Sequence, residues 1–476
     1  MKNQKFDPAS RIQDCLQFGE FGDVNPSVTD SATFTFLHGK DMTGTFTGEV
    51  EGCFLYSRHW NPSNKYLADA LAAMEGTEAA WVTGSGMAAI TNAMLQLVNS
   101  GDHIVASPTV YGGTFAFLKN YLPKFNIDVT FVDTTDPKKV EKAIRKNTRF
   151  IYTETMSNPM LRIADIPALA KVAHKHKALL VVDNTFTPMI FSPARLGADV
   201  VVYSMTKFIN GKNDCVAGAI CGSADYINSL IDVNNGTSML LGPVLDPFRS
   251  SSILKNLHTL HIRMQKHSEN AMYLAKRFKE IGLKANYPGS PSHPDHALMK
   301  KQMNAGYGFG GMIAIDLDTA EKANFMMETM QQKGVGYLAV SLGYFKTLFS
   351  NSGKSTSSEI PEEFQKGMGL SEGLVRFSVG LDQDIERTFQ LIKESLVLTN
   401  KKFAGKKAAT AKKPAAAKKA ASAKATKVTK AAKAEKSAKA SRKPSVAAAK
   451  KATAKPVGKA KAGAKTAPKG KTARKK

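Results

Sequence analysis

Cysteine is scarce. Cys15, Cys53, Cys215 and Cys221 are the only four in 476 residues, and they are scattered. That is too few and too dispersed for a disulfide framework. No Cys/His cluster has the spacing of zinc ligands, so no metal site is expected. No apolar run approaches the roughly 20 residues that a membrane-crossing helix needs, and none is expected to span a bilayer. The first fifteen residues are polar and lack the apolar centre of a secretory signal. A reducing cytoplasm is the expected location. Acid is missing from one end of the chain. Residues 401–476 hold 27 Lys and Arg against a single acid, Glu435, and one aromatic, Phe403. Residues 1–400 keep 39 bases and 39 acids, so the net charge of +26 sits wholly in the tail. A pI near 9.7 therefore says nothing about the body.

The body has the pattern of an α/β protein. Residues 1–60 read as an irregular N-terminal arm rich in Gly, Thr and Phe. Residues 64–75 show helical spacing, with Leu67, Leu71 and Met74 on one face. Short apolar runs follow at 79–82, 103–106, 127–132, 150–152, 178–182 and 200–203, most of them separated by amphipathic stretches such as 166–176. This alternation predicts βαβ crossovers and a mostly parallel sheet, in a large domain over 61–246. A smaller α/β domain is expected over 247–400. It opens with one long helix at 252–281, continues with strand-like 312–317, a helix at 320–331 and strand-like 374–379, and closes with a helix from about 382. Residues 353–359 read as a Ser-rich loop. After about residue 400, Lys, Ala, Thr, Ser, Pro and Gly dominate. Such a segment buries too little apolar surface to offset its ordering entropy and is expected to be disordered.

Several fragments carry chemistry, and each also has a plainer reading. Ser204-Met-Thr-Lys207 follows an apolar run, which places Lys207 past the C-terminal end of a buried strand, where open α/β sheets bind ligands. A lysine there is either solvated, or partly desolvated and primed for imine chemistry, with Ser204 and Thr206 ready to donate to a phosphate. Asp183 ends the run 180–183. It serves as a turn cap or as a carboxylate for a pyridine nitrogen. Thr83-Gly-Ser-Gly86-Met87 opens a helical stretch, either as an ordinary turn or as a phosphate cradle at a helix N-terminus. Tyr111, before Gly112-Gly113, is a packed or surface aromatic, or a ring that stacks on a flat cofactor. Tyr56 and Arg58 lie two apart in an irregular segment, exposed or clamping phosphate. Arg376 interrupts an apolar strand, as a buried ion pair or as a bidentate clamp for a carboxylate.

The order of these fragments is more informative than any one of them. "YSRHWNPS", "VTGSGMAAI", "GDHIVASPTVYGG", "ETMSNPMLRIADI", "VVDNTF", "LGADVVVYSMTKFINGKND" and "SEGLVRFSVGLD" occur in sequence. Over about residues 25–398 the chain resembles the Cys/Met-metabolism family of pyridoxal-phosphate (PLP) enzymes, which includes cystathionine γ-synthase, cystathionine and methionine γ-lyases and O-acylhomoserine sulfhydrylases. The resemblance implies the aspartate-aminotransferase-like fold type I, and a tetramer built from dimers with shared active sites. It implies that Lys207 binds PLP as an imine and then acts as a base. Asp183 would pair with the pyridine nitrogen, and Gly86, Met87, Ser204 and Thr206 would bind the phosphate. Tyr56 and Arg58 would reach the phosphate of the neighbouring subunit. Tyr111 would stack on the ring and act as an acid, Asn158 would lie near the phenolic oxygen, and Arg376 with Ser341 would hold the substrate's α-carboxylate.

Substrate choice is expected to turn on a few positions. Cystathionine-handling members commonly carry a glutamate before the Tyr-x-Arg motif and another before the Ser-Leu-Gly motif; here these positions are Leu55 and Val340. Apolar walls favour a methionine-like or O-acyl side chain over one with a distal ammonium. The expected reaction is a carbon–sulfur γ-lyase giving a thiol, 2-oxobutanoate and ammonia. γ-Replacement, as by an O-acetylhomoserine sulfhydrylase or cystathionine γ-synthase, is the alternative. Gly113 favours the alternative, since methionine γ-lyases typically have cysteine there. Trp60 and Ser357 also depart from the family pattern. The basic tail resembles the tails of linker-histone-like proteins, which implies a rival function of another class: salt-sensitive, non-specific binding of nucleic acid or another polyanion.

Overall fold

The computed structural model describes residues 6–19, 22–47, 49–50, 52–351 and 371–404. Ser357, the Ser-rich loop around it and the basic tail from residue 405 lie outside the described residues.

Each apolar run predicted in the first half forms a strand. They are β1 (Ala79–Thr83), β2 (His103–Ala106), β3 (Asp128–Phe131), β4 (Thr148–Glu154), β5 (Leu179–Asp183) and β6 (Val200–Ser204). A seventh, β7 (Gly218–Gly222), was not foreseen. The sheet order is β1-β7-β6-β5-β4-β2-β3. The pairings from β3 to β6 are all parallel, while β7 runs antiparallel to both of its neighbours. Ile151, Val182 and Val201 pack on one face of this sheet, and Ile104, Tyr152 and Val202 on the other. Burial on both faces is why these strands read as apolar runs without alternation.

The second sheet contains β8 (Ala285–Asn286), β9 (Met312–Asp316), β10 (Gly336–Leu338), β11 (Thr347–Asn351) and β12 (Leu374–Ser378), in the order β10-β11-β12-β9-β8. β12 pairs antiparallel with both β11 and β9. Its core is separate, with Phe278, Met326, Phe377 and Phe389 at its centre.

Three sequence expectations need correction. The arm is not wholly irregular: it forms helices Pro8–Asp14 and Gly39–Thr47. The long helix expected at 252–281 is two, Pro247–Leu257 and Leu260–Glu280. Arg263 stabilises the break by donating to the carbonyls of Asn256 and Ile209, each at 2.8 Å, and to that of Phe208. The last helix, Ile385–Phe403, outruns the change in composition near residue 400. It continues because Phe403 packs edge-on against Phe325, 6.1 Å between centroids, and Lys402 Nζ lies 3.6 Å from the centre of the Phe325 ring. No helix among the described residues is long and apolar enough to cross a membrane.

Candidate active site

The C-terminal ends of β4, β5 and β6 open onto a cavity of about 270 Å³. Nine of the twelve residues singled out from the sequence line it: Gly86, Met87, Tyr111, Asn158, Asp183, Ser204, Thr206, Lys207 and Arg376. A tenth, Ser341, lies beside it and accepts a hydrogen bond from Lys207 Nζ at 3.1 Å. Tyr56 and Arg58 lie off the cavity of this chain. The Arg58 guanidinium sits 5.6 Å from the centre of the Tyr56 ring and donates to the Met239 carbonyl at 2.9 Å.

Local sequence explains the placement. The helix Gly86–Leu97 starts at the cavity because Ser85 caps it, its hydroxyl accepting the Ala88 N–H at 3.0 Å. The first N–H groups of a helix have no partner within it, so they are free to face an anion. Gly86 is required by close approach: a Cβ there would lie 2.6 Å from the Ser204 side chain. Behind Ser204, its own N–H donates to Thr185 Oγ1 at 2.8 Å, while Thr206 Oγ1 accepts the Ala217 N–H at 3.0 Å. Two hydroxyl-bearing residues and a helix N-terminus thus converge on one end of the cavity.

The charged groups have unequal surroundings. Lys207 is half-buried among apolar walls, and its pKa falls from 10.5 to about 8, chiefly by desolvation and further by the Arg376 charge. Asp183 is buried and accepts the Thr185 N–H at 2.9 Å; desolvation raises its pKa above the ordinary carboxylate value. A buried carboxyl in that position gains from a cationic partner. Arg376 is 3% exposed and donates to Asn158 Oδ1 at 2.9 Å and to the Val340 carbonyl at 3.2 Å. Desolvation lowers its pKa to about 10, which leaves it charged at neutral pH.

Tyr111 is 46% exposed at the mouth of the cavity. A Cβ on Gly113 would lie 2.6 Å from Tyr111 Cε1 and 3.2 Å from Met87 Sδ. The glycine therefore lets the tyrosine ring lie back against it, a placement that any side chain at 113 would disturb. Of the two positions tied to substrate choice, Val340 lines the cavity with Met156, Phe186, Val216 and Leu342. Leu55 stays on the arm beside Tyr56, outside the cavity lining. Sequence reading overlooked Glu154, Thr185 and Phe186. Glu154 closes an apolar run as Asp183 does, and that shared position is the signal that could have found it.

The family of Cys/Met metabolism PLP-dependent enzymes matches residues 12–394 and stops short of the basic tail. Methionine gamma-lyase of Arabidopsis thaliana is 45% identical over 398 residues, 82% of this chain and 90% of that protein. L-methionine gamma-lyase of Porphyromonas gingivalis is 41% identical over 366 residues, 76% of this chain and 90% of that one. A Campylobacter jejuni protein solved with N'-pyridoxyl-lysine-5'-monophosphate superposes with a TM-score of 0.76 at 27% identity, covering 82% of this chain and 100% of its own. A family match over residues 12–394, with a relative 45% identical over 398 residues, makes this chain a member of the Cys/Met metabolism PLP-dependent enzyme family.

Proposed function

We propose that this protein is a carbon–sulfur γ-lyase that converts methionine, or a closely related sulfur amino acid, and water to a thiol, 2-oxobutanoate and ammonia. The observation that carries the choice of substrate is Val340. It presents an apolar side chain where an acid could pair with a distal ammonium, so a methionine-like thioether gains a contact there and a distal cation gains no charged partner. The names of the two methionine gamma-lyase relatives support the same reading.

The cavity suits pyridoxal phosphate. The Gly86 cradle, the helix N-terminus and the Ser204 and Thr206 hydroxyls form a donor set for a phosphate, with the Gly86 and Met87 backbones at its base. Asp183, buried and short of a cation, suits a protonated pyridine nitrogen. Asn158 suits the phenolic oxygen, and Tyr111 suits the ring face. When bound, the cofactor supplies an electrophilic carbonyl and an electron sink for charge at the substrate's Cα.

The chain's own residues do the rest. Arg376 and Ser341 hold the substrate's α-carboxylate. Lys207, with a pKa near 8, is partly neutral at physiological pH, so it can act as a nucleophile and then take protons from carbon. Tyr111, at the cavity mouth, donates a proton to the departing sulfur as the Cγ–S bond breaks. Tyr56 and Arg58, which lie off this cavity, serve the phosphate of a second subunit in a dimer-built tetramer. Four scattered, free cysteines support a cytoplasmic location.

A product assay tests the reaction. With methionine, cystathionine, cysteine, and O-acetylhomoserine plus sulfide offered separately, methionine should yield 2-oxobutanoate. Turnover of O-acetylhomoserine and sulfide alone would replace this reading with γ-replacement.

The tail supports a second activity. With 27 cations against one acid, residues 401–476 are suited to bind nucleic acid or another polyanion by counterion release. They lack interleaved aromatics, so stacking and sequence preference are not expected. DNA binding by the full chain should weaken steeply with salt and be lost in a chain ending at Asn400; equal binding by both chains would exclude it.

A further inference from the structure

Glu154 has a place in the cavity that the chemistry above does not use. It ends β4 in register with Asp183 on β5, so two carboxyls stand side by side at the same end of the sheet, and both line the cavity. Glu154 is 8% exposed. Its Oε1 accepts the Tyr111 N–H at 2.6 Å, and the Asn158 backbone lies close enough to favour the charged carboxyl. The charge of Arg376 acts on it as well, and Arg376 donates to Asn158 Oδ1 at 2.9 Å. Three separate stretches of chain meet at this one group: the turn after β2, the turn after β4, and β12 of the second sheet.

We propose that Glu154 is a positioning residue, fixing Tyr111, Asn158 and Arg376 relative to one another so that the ring-facing and carboxylate-binding parts of the site are assembled before substrate arrives. The inference rests on the reading of Tyr111 and Arg376 given above. Two adjacent buried carboxyls are unfavourable unless their contacts offset the cost. Here the return is pre-organisation: a loop that must otherwise be ordered at the moment of binding is already held. Burial and the neighbouring Asp183 raise the Glu154 pKa well above the ordinary carboxylate range. Glutamine is the nearest isostere and keeps a carbonyl acceptor for the Tyr111 N–H.

The test uses the full-length holoenzyme with Glu154→Gln, Glu154→Ala and, as reference, Arg376→Lys. Three quantities are measured: PLP affinity by titration of the apoprotein, glycine affinity followed through the visible absorption of the bound cofactor, and kcat and KM for methionine. Glycine reports carboxylate and amine capture without a Cγ leaving group. Glu154→Ala should weaken glycine binding and raise KM about tenfold or more, as expected when buried donors lose their acceptor, with a smaller change in kcat. Glu154→Gln should stay within about threefold of the unaltered enzyme. Normal glycine binding by Glu154→Ala, or equal damage by Glu154→Gln and Glu154→Ala, overturns the proposal. If Glu154→Ala does not fold, Glu154→Asp withdraws the acceptor by one methylene and must raise KM; a normal KM there overturns it as well. Arg376→Lys separates the two layers of argument. If it binds glycine normally, the carboxylate reading of Arg376 fails and this inference falls with it. If it loses glycine binding while the Glu154 variants keep it, only the role of Glu154 fails.

Discussion

Lys207 Nζ donates to Ser341 Oγ at 3.1 Å, joining the turn after β6 of the first sheet to the segment between β10 and β11 of the second. On the function proposed above, the contact brings together the groups that meet the substrate amine and the substrate carboxylate. Arg376, on β12, reaches the same place through the Val340 carbonyl, one residue before Ser341.

Removing either partner should have separable effects. Lys207→Ala should lose the visible band of bound PLP and about 10²- to 10⁴-fold in kcat/KM, the usual worth of a positioned acid–base group. Ser341→Ala should keep the band and raise KM about tenfold, the scale of one hydrogen bond to a charged group. Absorption spectra and steady-state kinetics on the two variants check both.

The lowered pKa of Lys207 has a pH signature in the apoprotein. Its proton affinity falls from 10.5 in the unfolded chain to about 8 in the folded one. Between those values the unfolded chain binds more protons, so this group makes folding more favourable as pH rises from 8 to 10.5. Below 8 the buried ammonium is a standing cost. Capture of PLP by the apoprotein needs the neutral amine, so its rate should climb with pH and level off above about 8. A rate that keeps climbing about tenfold per pH unit up to roughly pH 9.5, as for an amine of ordinary pKa, would contradict the lowered value.

Sequence and structure part company at identifiable places. β1 to β6 were legible because strands buried on both faces carry continuous apolar runs. β7, Gly-Ala-Ile-Cys-Gly, was hidden because glycines bracket a run of only three apolar side chains. β10 and β11 hide for other reasons, one being three residues long with two of them exposed, the other carrying Thr, Ser and Asn. Site residues in contiguous motifs, such as Ser204, Thr206 and Lys207, could be read directly. Glu154 closes an apolar run as Asp183 does, but its place beside Asp183 follows from the register of β4 against β5, which no contiguous motif carries. The break at His258 was invisible because neither Gly nor Pro marks it; Arg263, at the start of the next helix, satisfies the Asn256 carbonyl there.

The cradle at Gly86 should be intolerant of one added methyl. A Cβ there would lie 2.6 Å from Ser204 Cβ and Oγ and 3.0 Å from its Cα, leaving the helix N-terminus no room against β6. Overpacking of this kind costs about 1–3 kcal/mol. If the strain is relieved by the helix moving off the phosphate end, Gly86→Ala should weaken PLP binding about tenfold or more. Titration of the apo variant with PLP measures this directly.

Glu75 predicts a pH effect on stability away from the chemistry. It is fully buried, accepts the Ala194 N–H at 2.9 Å and is bonded to the Tyr203 hydroxyl, which also accepts from Asn184 at 2.9 Å. Desolvation raises its pKa to about 8. A raised carboxyl contributes stability that is fully present below its ordinary value of 4.5 and is lost as pH rises through 8. Glu75→Gln mimics the protonated acid and should remove that loss. Thermal unfolding at pH 6 and pH 9 should show a smaller fall in Tm for the variant than for the unaltered protein.

Val340 offers a way to move specificity rather than destroy activity. Its side chain lines the cavity and is 62% exposed, while its carbonyl holds Arg376. Val340→Glu leaves that backbone contact available and puts a carboxylate on a solvent-reachable wall, where desolvation costs it little. A substrate with a distal ammonium then gains a charged partner, and an apolar thioether loses an apolar neighbour. The ratio of kcat/KM for cystathionine to that for methionine should rise about tenfold or more, on the scale of one charge-assisted hydrogen bond. Competition between the two substrates, read from the thiol products, measures that ratio in one experiment. If the ratio does not move, the wall at 340 does not select the substrate, and the preference for methionine must be set by other residues of the cavity.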